Sequence, residues 1–160
     1  METDETPVPI FGQPRPGEIY VERPGAYALI ADETGRVAVI RNEHGRYFLP
    51  GGGIEPGESL ELALRREVLE ECGRHVDEVQ WLCAADEYVV TDEVTRCYLK
   101  RGTFFAATLH AEPIVPPEEG TELHWLNPAD AVRRLRHPSQ AWVVRQFGQL
   151  IGWESDPRAS

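Results

Sequence analysis

Cysteine is scarce in this 160-residue chain: Cys72, Cys83 and Cys97 form an odd set without a Cys-x-x-Cys pair. Such a set fits neither a disulfide framework nor a zinc ribbon and reads as free, buried thiols. Long apolar runs are missing as well, since none approaches the about 18 residues a membrane-spanning helix needs. The opening Met1-Glu2-Thr3-Asp4-Glu5 is acidic, where a secretory signal is basic and then apolar. A soluble, cytoplasmic protein with no membrane partner is expected. Positive charge is in short supply: 16 Lys and Arg stand against 27 Asp and Glu, for a net charge of −11. That balance opposes attraction to a polyanion, so no nucleic-acid partner is expected. His44, His75, His110, His124 and His137 show no His-Glu-x-x-His spacing, and surface or structural roles follow for them. A Gly-x-Ser-x-Gly elbow and a P-loop are also lacking, which leaves covalent serine catalysis and motor chemistry without support. No internal repeat or low-complexity tract appears.

With 41% hydrophobic and 27% charged residues, the chain has the make-up of one globular domain with a real core. Residues 1–24 hold Pro7, Pro9, Pro14, Pro16 and Pro24, which predict an extended lead-in rather than a helix or central strand. The domain proper is expected over 25–153, followed by a frayed tail over 154–160. Residues 26–30 and 37–40 read as two strands of a hairpin around the turn Asp32-Glu33-Thr34-Gly35. A second turn, 42–45, leads to Tyr47-Phe48-Leu49 and the glycine-rich Pro50-Gly51-Gly52-Gly53. Ser59 to Cys72, free of Gly and Pro and closed by Gly73, predicts a helix. Strands are expected over 79–90 and 103–109 with a turn at Thr91-Asp92-Glu93, and a short one over 123–126. Asn127-Pro128 reads as the cap and first turn of a helix to about Leu135, and a last helix runs from Ser139 to near Trp153. This order predicts an α/β or α+β fold with helices packed on a sheet.

The first helix carries an anomaly. At about 100° per residue, Leu60, Ala63, Leu64, Val68 and Cys72 share one face, as a core stripe should. Glu67 and Glu71 project into the same arc, and Glu70 lies beside it. Several carboxylates next to a core are costly unless a cation neutralises them, which points to a divalent metal. The plainer alternative is a solvated face in which Arg66 pairs with Glu70 at i,i+4. Three glycines just upstream favour the first reading, because they let the main chain approach a ligand closely.

Gly52, Glu58 and Arg66-Glu67-Val68-Leu69-Glu70-Glu71-Cys72-Gly73, at their spacings over residues 52–73, resemble the complete Nudix box. One position departs: Arg74 stands where the family usually has an aliphatic residue. The segment Phe48-Leu49-Pro50-Gly51-Gly52 and the later Trp125-Leu126 before Asn127-Pro128 are also similar to the family's layout. The resemblance covers about residues 25–150. It implies an α/β/α sandwich with a mixed sheet between helices, and a hydrolase acting on the diphosphate linkage of a nucleoside diphosphate derivative.

The resemblance further implies Mg²⁺ or Mn²⁺ as cofactor, with Glu67, Glu70 and Glu71 as ligands and the Gly51 carbonyl as a further candidate. Glu67 and Glu71 are the leading candidates for the general base, while Arg66 and Glu58 read as scaffolding that fixes a ligand glutamate. A further acid from the loop before Trp125 is expected, for which Glu118, Glu119 and Glu122 compete and Glu119 is favoured. Arg41 is a candidate for a substrate phosphate and Tyr47 and Phe48 for a base, though solvation and core packing explain these three equally or better. Gly52 and Gly53 are placed beside the substrate by the same loop. A nucleoside triphosphate, including an oxidised one, is the favoured substrate; nucleotide sugars and dinucleoside polyphosphates stay open. The resemblance admits a homodimer. Two other readings exist, a sensory Nudix domain that binds a nucleotide without cleaving it and a plain acidic interaction module. The intact box acids speak against the first, and the second leaves the carboxylates on the core arc unexplained.

Overall fold

The computed structural model describes residues 7–91 and 96–152. The expected turn at Asp92-Glu93, Trp153 and the tail 154–160 lie outside the described residues. Eleven elements follow in order: β1 (Ile10–Phe11), β2 (Tyr20–Leu29), β3 (Val37–Arg41), β4 (Tyr47–Phe48), β5 (Gly51–Gly53), α1 (Leu60–Cys72), β6 (Val76–Val90), β7 (Cys97–Leu109), β8 (Glu122–Leu126), α2 (Pro128–Arg134) and α3 (Pro138–Gly152). The five-stranded sheet has the order β1-β6-β7-β2-β5 and is mixed: β2 runs parallel to β7, and β5 and β6 run antiparallel to their neighbours β2 and β7. A second sheet of three antiparallel strands has the order β4-β3-β8.

Alternation along β2 and β3 sorts the core into two layers. Ala26, Ala28 and Ile30 from β2 and its end join Ala38 and Ile40 of β3 beneath Leu64, Val68 and Cys72 of α1. Tyr27, Leu29, Val37 and Val39 point the other way, against Ala131 and Leu135 at α2 and Ala141, Val143 and Val144 of α3. Both strands are thus buried on both faces, as strands between two helical layers must be. The result is the α+β fold with helices packed on a sheet that the element order predicted, and the mixed sheet between helices that the resemblance implied.

Two local expectations are corrected. Residues 26–30 and 37–40 do not form a regular hairpin. Ala38 N–H reaches Ile30 O at 2.9 Å, but then β2 spends its edges on β7 and β5 while β3 turns into the second sheet. Pro24, read as barring a central strand, lies within β2 opposite Arg101 of β7. Its carbonyl accepts from Ile54 N at 3.2 Å on the β5 side, so its missing N–H costs the β7 ladder nothing. Two parts of the proline-rich segment, Ile10–Phe11 and Tyr20–Pro24, are therefore sheet strands.

Helix α1 is bounded as its sequence requires. Ser59 Oγ accepts from Leu62 N–H at 3.2 Å, and Gly73 closes the helix in the left-handed region with φ 70°, donating to Leu69 O at 2.9 Å. A Cβ at Gly73 would lie 2.2 Å from Val115 O, so glycine is also what lets the 111–118 loop close over the helix end.

Candidate active site

Sheet register brings the glycine-rich turn to α1. Gly51, Gly52 and Gly53 pair with Tyr27, Ala26 and Gly25 of β2, whose α1-facing residues form the floor under Leu64 and Val68. Gly51 adopts φ 140°, and a Cβ there would sit 2.2 Å from Ala26 O. Its N–H, turned toward the helix, donates to Glu71 Oε1 at 2.8 Å. A Cβ on Gly52 would meet the Glu67 carboxyl at 2.7 Å, so the turn lies directly against the box acids.

Those acids are electrostatically stressed. Burial above all pushes the Glu71 carboxyl up to about 8; the Gly51 N–H pulls it back, and the charges of Glu67, Glu118 and Glu70 add to the rise. Glu67 is raised by its half-burial, with Arg66 opposing and Glu70 and Glu118 reinforcing. Arg66 is the nearest counter-charge. Its Nε and Nη2 grip Glu58 at 2.7 and 2.8 Å, and it reaches Gly53 O at 3.1 Å, Glu67 at 3.0 Å and Glu70 at 3.6 Å. That fork brings the Glu58 carboxyl down to about 2, chiefly through the Arg66 hydrogen bond and then the Glu55 N–H, and raises Arg66 itself. Arg66 therefore ties the acid row to the turn, while Glu71 makes no ion pair with it.

This donor set suits a hard divalent cation: carboxylate oxygens on one helix face, one of them from the half-buried Glu71, whose desolvation and acidic neighbours a cation would offset. Among the described residues no three His, Cys, Asp or Glu side chains converge as a closed ligand group. Glu67 leans to Arg66 and Glu71 to the Gly51 amide, an open half-shell that agrees with an ion retaining water and taking up phosphate oxygens.

The expected outer residues separate. Of the three loop acids, Glu118 is the one whose charge bears on both Glu67 and Glu71, and its N–H is anchored to Glu70 O at 2.7 Å. Glu122 is taken up by His124 at 3.0 Å and Arg41 at 3.7 Å. Arg41 is thus paired on the second sheet, with no bond to a box glutamate. Tyr47 packs edge-on to His124 with Arg134 over its ring, and Phe48 tilts against His137. Two buried polar groups carried no signal in the sequence. Glu87 accepts from Ser139 N at 2.9 Å and pairs with His137 Nδ1 at 2.7 Å. Gln140 Oε1 accepts from Leu49 N at 2.8 Å. Their meaning lies in long-range contacts that no local pattern announces.

A carboxylate-lined helix docked behind a tight glycine turn, within an α/β/α sandwich, is the arrangement that the Nudix resemblance implies. Comparison with known proteins gives the same answer at the level of the family. The NUDIX domain model matches residues 21–147. A nucleoside triphosphatase NudI from Escherichia coli O17:K52:H18 is 32% identical over 141 residues, covering 81% of this chain and 93% of that protein. Among solved structures, a NUDIX hydrolase from Nitrosomonas europaea shares the fold with a TM-score of 0.64 at 20% identity, covering 79% of this chain and 88% of its own. A MutT NUDIX hydrolase from Burkholderia pseudomallei superposes with a TM-score of 0.59 at 26% identity, covering 78% and 97%. The chain belongs to the Nudix hydrolase family. Among its described residues no helix is long and apolar enough to cross a membrane.

Proposed function

We propose that this chain hydrolyses a phosphoanhydride bond of a nucleoside triphosphate in a reaction dependent on Mg²⁺ or Mn²⁺. The observation that carries the reading is Glu71, half-buried on the core side of α1 among Glu67, Glu70 and Glu118 and bonded to the Gly51 amide. The nucleotide class is supported by the NudI relative, a nucleoside triphosphatase by name.

In this reading Glu67, Glu70 and Glu71 hold the ion, with the Gly51 carbonyl as a further oxygen and Glu118, in preference to Glu119, as the acid from the loop. The ion, when bound, offsets phosphate charge and acidifies a bound water. Glu67 or Glu71 takes the proton of the attacking water, both lying on the core side of α1 against the glycine turn. Arg66 and Glu58 orient Glu67 and Glu70 rather than touch substrate, because the guanidinium is committed to Glu58, Gly53 and Glu67. Gly52 and Gly53 leave room for the phosphates beside that fork.

The deciding experiment measures phosphate and pyrophosphate release from nucleoside triphosphates, an oxidised nucleoside triphosphate, nucleotide sugars and dinucleoside polyphosphates, each with Mg²⁺ and with excess chelator. Chelator-sensitive cleavage of triphosphates is expected. Cleavage confined to another class would move the substrate assignment, and binding without cleavage across the panel would make the chain a nucleotide sensor.

A further inference from the structure

We infer that Gln140, in the first turn of α3, is a positioning residue that sets the glycine-rich turn of the active site from the opposite helical layer. The inference rests on the reading of Gly51 and Glu71 as active-site groups. Gln140 is 1% exposed, and its Oε1 accepts from Leu49 N at 2.8 Å across 91 residues of sequence. A primary amide buried that fully in an apolar layer is retained only where its hydrogen bonds are made.

The bond falls at a strategic place. Leu49, itself fully buried, is the last residue before Pro50 and Gly51. Three successive residues are then each held by a different element at the same distance: Leu49 N by Gln140 of α3, Pro50 O by Ala28 N of β2, and Gly51 N by Glu71 of α1, all 2.8 Å. The turn is a clamp with one jaw on each layer of the sandwich. Removing one jaw frees two peptide units that lead straight to the amide on which the Glu71 carboxylate rests.

The start of α3 is rigid enough to serve as that jaw. Glu87 of β6 ties it to the sheet through Ser139 N and His137 Nδ1. The link between α2 and α3 is also fastened to the segment it positions, with Arg136 N donating to Tyr47 O at 3.0 Å and Phe48 lying against His137. Gln140 thus hands the position of α3 to the catalytic turn without touching substrate or ion.

The test compares wild type with Gln140→Met, which keeps the length of the side chain and removes the acceptor, and with Val143→Ala. Val143 is buried on the same helix in the layer that also holds Leu49, so its truncation loosens the packing of α3 while leaving the Gln140–Leu49 bond in place. Amide hydrogen exchange is measured on the metal-free proteins, and Mn²⁺ affinity by titration. Gln140→Met is expected to speed exchange at Leu49 and also at Gly51, and to weaken Mn²⁺ binding roughly tenfold. Val143→Ala should lower stability while leaving Gly51 exchange and Mn²⁺ affinity unchanged. Unaltered Gly51 exchange in Gln140→Met, or the same changes in Val143→Ala, would overturn the inference. Should Gln140→Met not fold, Gln140→Asn, whose acceptor is one methylene short of Leu49, gives the same comparison. Exchange at Gly51 needs no turnover, so absence of nucleotide hydrolysis by the wild type would count against the proposed function and not against this role.

Discussion

The chemistry turns on single side chains whose surroundings set their charge. Glu71 is raised from 4.5 to about 8 by burial first and by its acidic neighbours after that. A carboxyl with a raised folded pKa stabilises the metal-free protein fully below the ordinary value, and that contribution is lost as pH climbs toward 8. Glu71→Gln should therefore abolish most turnover, by roughly 10²- to 10⁴-fold, if Glu71 is the base. The same variant in the absence of metal should lose less thermal stability than wild type between pH 5 and pH 8. An activity loss accompanied by the wild-type pH profile of melting would contradict the burial argument. Arg66 poses a question of geometry instead. Its guanidinium serves Glu58 with two parallel hydrogen bonds while reaching Gly53 and Glu67, a division of labour that one ammonium cannot reproduce. Arg66→Lys, with the charge retained, should raise the Mg²⁺ concentration for half-maximal activity by about 10- to 100-fold. Wild-type metal dependence in that variant would show that charge alone suffices.

Between elements, legibility depended on how local the cause was. Helix α1 was readable to the residue because its cap Ser59, its apolar stripe and its closing Gly73 are all written within fifteen positions. The acids on its core side were readable for the same reason. The divergence of β2 and β3 into separate sheets was not, since strands buried on both faces lack the alternation that would mark a common hairpin. Nor was the choice among Glu118, Glu119 and Glu122, where a loop path sets proximity, or the Glu87–His137 tie, 50 residues apart. That tie makes its own prediction. Burial raises the Glu87 carboxyl, yet the bonds from His137 and Ser139 outweigh it and leave the group below its ordinary value of 4.5. A lowered carboxyl stabilises the fold above 4.5 and stops doing so as pH falls through its folded value. Urea midpoints of Glu87→Gln should accordingly lie below wild type at pH 6, with the gap closing under acid conditions below 4.5. A gap that persists unchanged there would mean that Glu87 acts by shape and not by charge.

At the scale of the molecule, the fold class followed from the element order and the family from one helix with its preceding turn; the charge balance bears on how substrate arrives. With 16 basic against 27 acidic residues, the net charge of −11 repels a nucleotide polyphosphate at long range. The acids about the site add to this field nearby, and the central arginine is already committed to Glu58 and Glu67. Screening should then help association: the Debye length shrinks from about 30 Å at 0.01 M salt to about 10 Å at 0.1 M. At fixed, saturating Mg²⁺, kcat/KM for a nucleoside triphosphate is expected to rise over that range while kcat stays level, since salt relieves the approach and leaves the bound geometry alone. A fall in kcat/KM with added salt would mean that positive potential at the loaded site outweighs the acidic surface, and that substrate is drawn in rather than merely admitted.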